Sequence, residues 1–183
     1  MQIFDLDVTP QATVDWVTLE AAHRITMNRY NQDLQERKPV PYMNAADRLE
    51  QAGILYAFDA PVTGISPQQA AAILNDYGFL ASKNTVQAKP AEPALRRAIV
   101  LDPNRALARL NLADLLRERL HTVTNFSAKQ RQVSEIKMLY RKYLQLGGNP
   151  SPRIDTIIKG GSREGAETDI CQAIATYANA SRL

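Results

Sequence analysis

Apolar residues recur along this chain at helical spacing, and cap or turn residues fill the breaks between the runs. Thr9-Pro10 is an N-cap followed by proline at the first helical position. From there to Lys38 the apolar positions Val14, Val17, Ala21, Ile25 and Leu34 keep a helical stripe, which Pro39 and Pro41 end. Asn44 is the expected cap of a second helix, through Leu49 and Ala52 to about Phe58. Ser66-Pro67 repeats the first signal and opens a third, carrying Ala70, Ile73, Leu74 and Tyr77. Pro90 and Pro93 bracket the next start, with Leu95, Ala98, Ile99 and Leu101 as its stripe and Asp102-Pro103-Asn104 as the turn that follows. A leucine-rich helix is expected over 105–120, on Leu107, Leu110, Leu112, Leu115, Leu116 and Leu120, and then a loop over 121–127. Ser127 is the expected cap of a long helix to Leu146, which Gly147-Gly148-Asn149-Pro150 ends. Lys159-Gly160-Gly161-Ser162 reads as a flexible connection. A last helix is expected from about Arg163 to Asn179, with Ile170, Ile174 and Tyr177. Only residues 2–8 and Thr122 to Thr124 have extended character, and nothing alternates long enough to require a sheet. The expectation is an all-α chain of seven or eight helices.

Composition narrows the class. With 183 residues, 45% of them hydrophobic and 22% charged, the chain can bury a core of its own and is not globally disordered. One cysteine, Cys171, allows no intrachain disulfide and no cysteine-rich zinc site. The longest purely apolar runs, Ile54 to Phe58 and Ala70 to Leu74, fall far short of the ~20 residues of a membrane span. The first residues are acidic where a signal peptide is basic, so a cytoplasmic protein is expected. Charge is uneven. Residues 1–88 hold 6 Lys/Arg and 10 Asp/Glu, whereas residues 89–142 hold 12 and 5. That basic middle suits an acidic partner or nucleic acid, but no aromatic or glycine interleaving prepares it for stacking bases, so a solvated helix face is the plainer reading.

A repeat is visible in the middle of the chain. Pro93-Ala94-Leu95-Arg96-Arg97-Ala98-Ile99-Val100-Leu101-Asp102-Pro103-Asn104 resembles the second helix and exit of a tetratricopeptide repeat. Ala91, Leu95, Ala98 and Pro103 stand at that family's small, bulky, small and proline positions. Leu74 to Ala81 resembles the first helix, with Gly78 at the small position where the two helices cross. Ala106 to Arg119 resembles another first helix, and Ile136 to Leu146 its partner. About eleven residues are inserted between these two, and Tyr143 replaces the usual alanine. The resemblance covers about residues 72–150. It implies helix pairs stacked side by side over residues 67–150, with residues 1–66 and 151–183 supplying end helices that cover exposed faces.

Candidate chemistry is sparse. Glu20 and His23 share a helix face, as in di-iron bundles, but no second copy of the pair exists. His121 ends a helix, where a cation suits the dipole. Asp5 and Asp7 could hold a divalent ion, yet no phosphate loop or further acidic cluster accompanies them. Cys171 and Trp16 read as packed side chains. No Ser/His/Asp or Cys/His set stands out, so no catalytic residue, metal or cofactor is expected.

The resemblance implies binding of another protein or peptide, an acidic one included, in a groove lined by the first helices of the repeats. It places Leu107, Leu110, Asn111, Asp114, Arg117 and Glu118 on that surface, and Asn75 and Asp76 in the preceding unit. Asparagines there can bond a peptide backbone amide. The lysines of the family's carboxylate clamp are absent. Two other readings fit the same chain: a bacterial immunity or toxin-neutralising protein, and a helical enzyme or nucleic-acid binder using the basic 89–142 segment.

Overall fold

Local signals place the helices, and seven α-helices with two short 3-10 turns make up the regular structure of the described residues, which contain no strand. The computed structural model describes residues 13–84 and 89–160. The chain divides into two compact units, Met1–Asp102 and Pro103–Leu183.

In the first unit, α1 spans Trp16–Gln35, α2 Pro41–Gln51, α3 Pro67–Ser82 and α4 Ala91–Leu101. α1 starts later than expected, because Asp15 is its cap: the carboxylate accepts the amides of Val17 and Thr18 and, at 2.6 Å, the Thr18 hydroxyl. Those bonds from Thr18 hold the Asp15 carboxyl below its ordinary range. Thr9-Pro10 lies outside the described residues. The period expected for α1 is present, but its phase is different. Trp16, Leu19, Thr26, Tyr30 and Asp33 are buried. Val17, Ile25 and Leu34 of the expected stripe are 54%, 68% and 41% exposed. Two aromatic rings bury more apolar area than the valine and isoleucine stripe, and they decide which side faces inward. The Trp16 indole N–H also finds a partner, the Pro61 carbonyl at 2.9 Å.

α2 opens at Pro41, which occupies the first helical position, so Asn44 lies inside the helix and does not cap it. The residue before it, Val40, is held at φ 49°, a left-handed conformation that a β-branched residue rarely adopts. α2 stops at Gln51, and only Ile54–Ala57 continues, as a 3-10 turn. α3 starts at the expected cap. Ser66 accepts the Gln69 amide, and Gln69 reaches back to the Ser66 amide at 2.8 Å. α1 packs on α2, α3 packs on both, and α4 packs on α3. The α3–α4 crossing is close. A Cβ on Gly78 would lie 2.6 Å from Leu95 Cγ and 3.2 Å from the Ala91 carbonyl oxygen. Ala91, Ala94, Leu95 and Ala98 are fully buried.

In the second unit, α5 spans Ala106–Arg119, α6 Phe126–Gln145 and α7 Pro152–Lys159. A 3-10 turn, Leu120–Thr122, takes up part of the expected loop. Asn125, and not Ser127, caps α6: its side chain accepts the Ala128 amide at 2.9 Å, and Ser127 falls within the first turn. Gly147, at φ 84°, ends α6 as its sequence position requires. Tyr143 packs at the end of α6. Its ring occupies the space where a Cβ on Gly148 would stand, and its hydroxyl accepts the Asn149 amide at 2.9 Å. α7 is a helix for which the sequence pattern gave no expectation. Ser151-Pro152 is the same cap-and-proline signal as Ser66-Pro67, and the Ser151 hydroxyl accepts the Ile154 amide at 3.3 Å. α6 packs against both α5 and α7. The helix expected over 163–179, with Cys171, lies outside the described residues, as do Asp5 and Asp7.

Candidate site on the open face of α5

α5 is divided along its length. Ala108, Arg109, Leu112, Ala113, Leu115 and Leu116 are buried. At 100° per residue, the six residues expected to line a groove fall on the other side, within an arc of about 120°. Leu107 is 53% exposed, Glu118 is exposed, and Leu110, Asn111, Asp114 and Arg117 are half-buried.

Asp114 also has an internal role that its sequence position does not reveal. One of its oxygens accepts the Tyr140 hydroxyl at 2.5 Å, and Arg153 approaches both oxygens at 3.0 Å. Arg117 Nε stands 3.8 Å away. The carboxylate thus ties α5 to α6 and α7. Burial, reinforced by the Asp114 charge, pushes the Tyr140 hydroxyl well above the ordinary tyrosine range. Leu107 and Glu118 are the exposed ends of this face, apolar and acidic, and the Glu118 carboxylate stands 3.8 Å from the Arg117 guanidinium.

The first unit places its two candidates differently. Asn75 is buried, at 2% exposure, and its amide donates to Asp76 at 3.0 Å, so it does not line an open surface. Asp76 is partly exposed and meets His23 Nε2 at 2.9 Å, joining α3 to α1. Gln69 makes a second link by donating to Glu20 at 2.9 Å. Glu20 and His23, adjacent on α1, therefore face separate partners on α3. Near this surface, Tyr30, Tyr42 and Phe79 form a row with ring centroids 5.4 and 5.9 Å apart. Among the described residues, no group of three or more His, Cys, Asp or Glu side chains converges as a metal site.

The first unit also holds a cluster that sequence reading missed. Lys89 is buried and bonds Asp47 at 2.7 Å and Glu50 at 2.8 Å, while the Tyr77 hydroxyl donates to Glu50 at 2.7 Å. Burial opposes the Lys89 charge, but its two carboxylate partners outweigh burial and raise the ammonium above its ordinary value. Burial and the Glu50 bond likewise raise Tyr77. The four groups satisfy one another and fasten the start of α4 to α2.

Family models, curated proteins and solved structures give no match to this chain. No helix among the described residues is long and apolar enough to cross a membrane.

Proposed function

We propose that this chain is a non-catalytic, cytoplasmic protein- or peptide-binding module of tetratricopeptide-like build, with the open face of α5 as its contact surface. One observation carries the reading: Leu107, Leu110, Asn111, Asp114, Arg117 and Glu118 share the side of α5 that is not buried. The buried side, held by Leu112 and Leu115, fixes that face in place, and the Asp114 contacts to Tyr140 and Arg153 stiffen its middle. A preorganised surface loses less entropy on binding than a mobile one. The helix crossing at Gly78 supports the tetratricopeptide-like build, since a close approach there is what the resemblance asks of that residue.

The test is peptide display on the full chain, followed by variants of the face. Leu107→Ser should weaken a selected peptide about tenfold and, at an exposed position, leave the melting temperature nearly unchanged. Lys129→Glu with Arg131→Glu should retain that peptide. The opposite pattern refutes the α5 surface and replaces it with the electrostatic reading.

A further inference from the structure

α6 turns Ile136, Leu139, Tyr140 and Tyr143 inward. Its other side carries Arg131, Ser134, Met138, Arg141, Lys142 and Gln145, all exposed. These six fall within an arc of about 100°. No aspartate or glutamate lies in that arc. Glu135, half-buried at its edge, has a partner already. Among the described residues, no hydrogen bond or ion pair engages the side chains of Arg131, Arg141 or Lys142. Met138 stands between these cations at 59% exposure. Arg131 and Lys142 are about 16 Å apart along the helix axis, roughly three turns.

We propose that this outer face of α6 docks an acidic amphipathic helix of a partner protein. Carboxylates one to three turns apart on that helix pair with Arg131, Arg141 and Lys142, and one apolar side chain between them seats on Met138. A methionine suits this role because its flexible thioether adapts to different apolar shapes. Charge complementarity selects the occupant. Duplex nucleic acid fits poorly: three phosphate contacts give a logarithmic salt slope of only about −2.7, and the tyrosines of α6 are buried where stacking would need them exposed. A lipid surface needs a broad apolar face to insert, and this face has one such residue. A second copy presenting the same face would set like charges together. The surface is distinct from that of α5, and nothing in it depends on the α5 reading.

The experiment uses the full chain and a labelled alanine-based helical peptide with glutamate at every third or fourth position and one central leucine. Comparison probes are its glutamine version, its central-serine version, a short DNA duplex and phosphatidylserine vesicles. The glutamate peptide should bind, weaken as salt rises, and exceed the glutamine version by about tenfold or more. Arg131→Glu with Lys142→Glu should abolish binding, and Met138→Ser should weaken it severalfold. Arg24→Glu, an exposed change on α1, should have no effect. Thermal melts establish that each variant is folded, and Lys142→Gln with the salt series serves if the double reversal does not fold. The proposal is overturned if the peptide does not bind or if charge reversal leaves its binding intact. It is also overturned if DNA or vesicles bind more tightly through the same residues, or if reversal acts by abolishing self-association of the chain.

Discussion

Replacing Gly78 with alanine sets two effects of opposite sign against each other. In an exposed helix interior the change stabilises by about 1 kcal/mol, because glycine gives up more backbone entropy on folding. Gly78 is not exposed. The new methyl would meet Leu95 Cγ at 2.6 Å, Leu95 Cδ2 at 2.8 Å and the Ala91 carbonyl oxygen at 3.2 Å. Leu95 is fully buried, the near atom is its branching carbon and not a flexible end, and the Ala91 oxygen belongs to the α4 backbone. The two helices must move apart, and overpacking of this kind costs about 1–3 kcal/mol. The steric cost exceeds the entropic gain, so Gly78→Ala should destabilise the chain by about 1 kcal/mol net, which lowers the melting temperature by about 2–4 °C for a chain of this size. Thermal denaturation followed by circular dichroism measures it. A double-mutant cycle with Leu95→Ala isolates the cause. Leu95→Ala alone should cost about 2–5 kcal/mol, but in that background Gly78→Ala should become neutral or stabilising, since the obstructing side chain is gone. If Gly78→Ala raises the melting temperature of the otherwise unchanged chain, the close crossing of α3 and α4 is wrong.

Asp114→Asn should destabilise the second unit by about 1–3 kcal/mol, since it leaves Arg153 and Arg117 without their shared counter-charge, whereas Leu107→Ser should be nearly neutral; chemical denaturation compares them. Val40→Gly should stabilise by about 1 kcal/mol, because glycine occupies the left-handed region without strain; an unchanged or lower midpoint contradicts the backbone assignment. Stability should fall in alkali. Tyr77 and Tyr140 are raised in the folded state, so above the ordinary tyrosine value of 10.0 the unfolded chain loses protons that the folded chain keeps. The raised Lys89 acts in the same direction, its contribution being complete below 10.5 and lost as pH rises through its folded value. Melting curves across that range should show the fall, and Tyr77→Phe should make it shallower.

What could be read from the chain alone is what a few neighbouring residues decide. Ser66, Pro67 and Gln69 close their capping box within one turn, and Gly147 ends α6 because the conformation needed there favours glycine. The same logic misplaced some boundaries where several cap residues compete at close range, as at Asn125 and Ser127. It also passed over Ser151-Pro152, whose helix is only eight residues long. The small residue at Gly78 was legible because a close helix crossing restricts side-chain size wherever it occurs. Tertiary structure alone decided the phase of α1, since two stripes of helical period were available and the neighbouring helices accepted the one with Trp16 and Tyr30. It likewise decided that Asn75 is buried, that Asp76 meets His23 across 53 residues of sequence, and that Asp114 meets Arg153 across 39. Hydrogen bonds within a turn depend on the local backbone. Contacts across such separations depend on which helix faces pack together, and that is determined by burial summed over the whole unit.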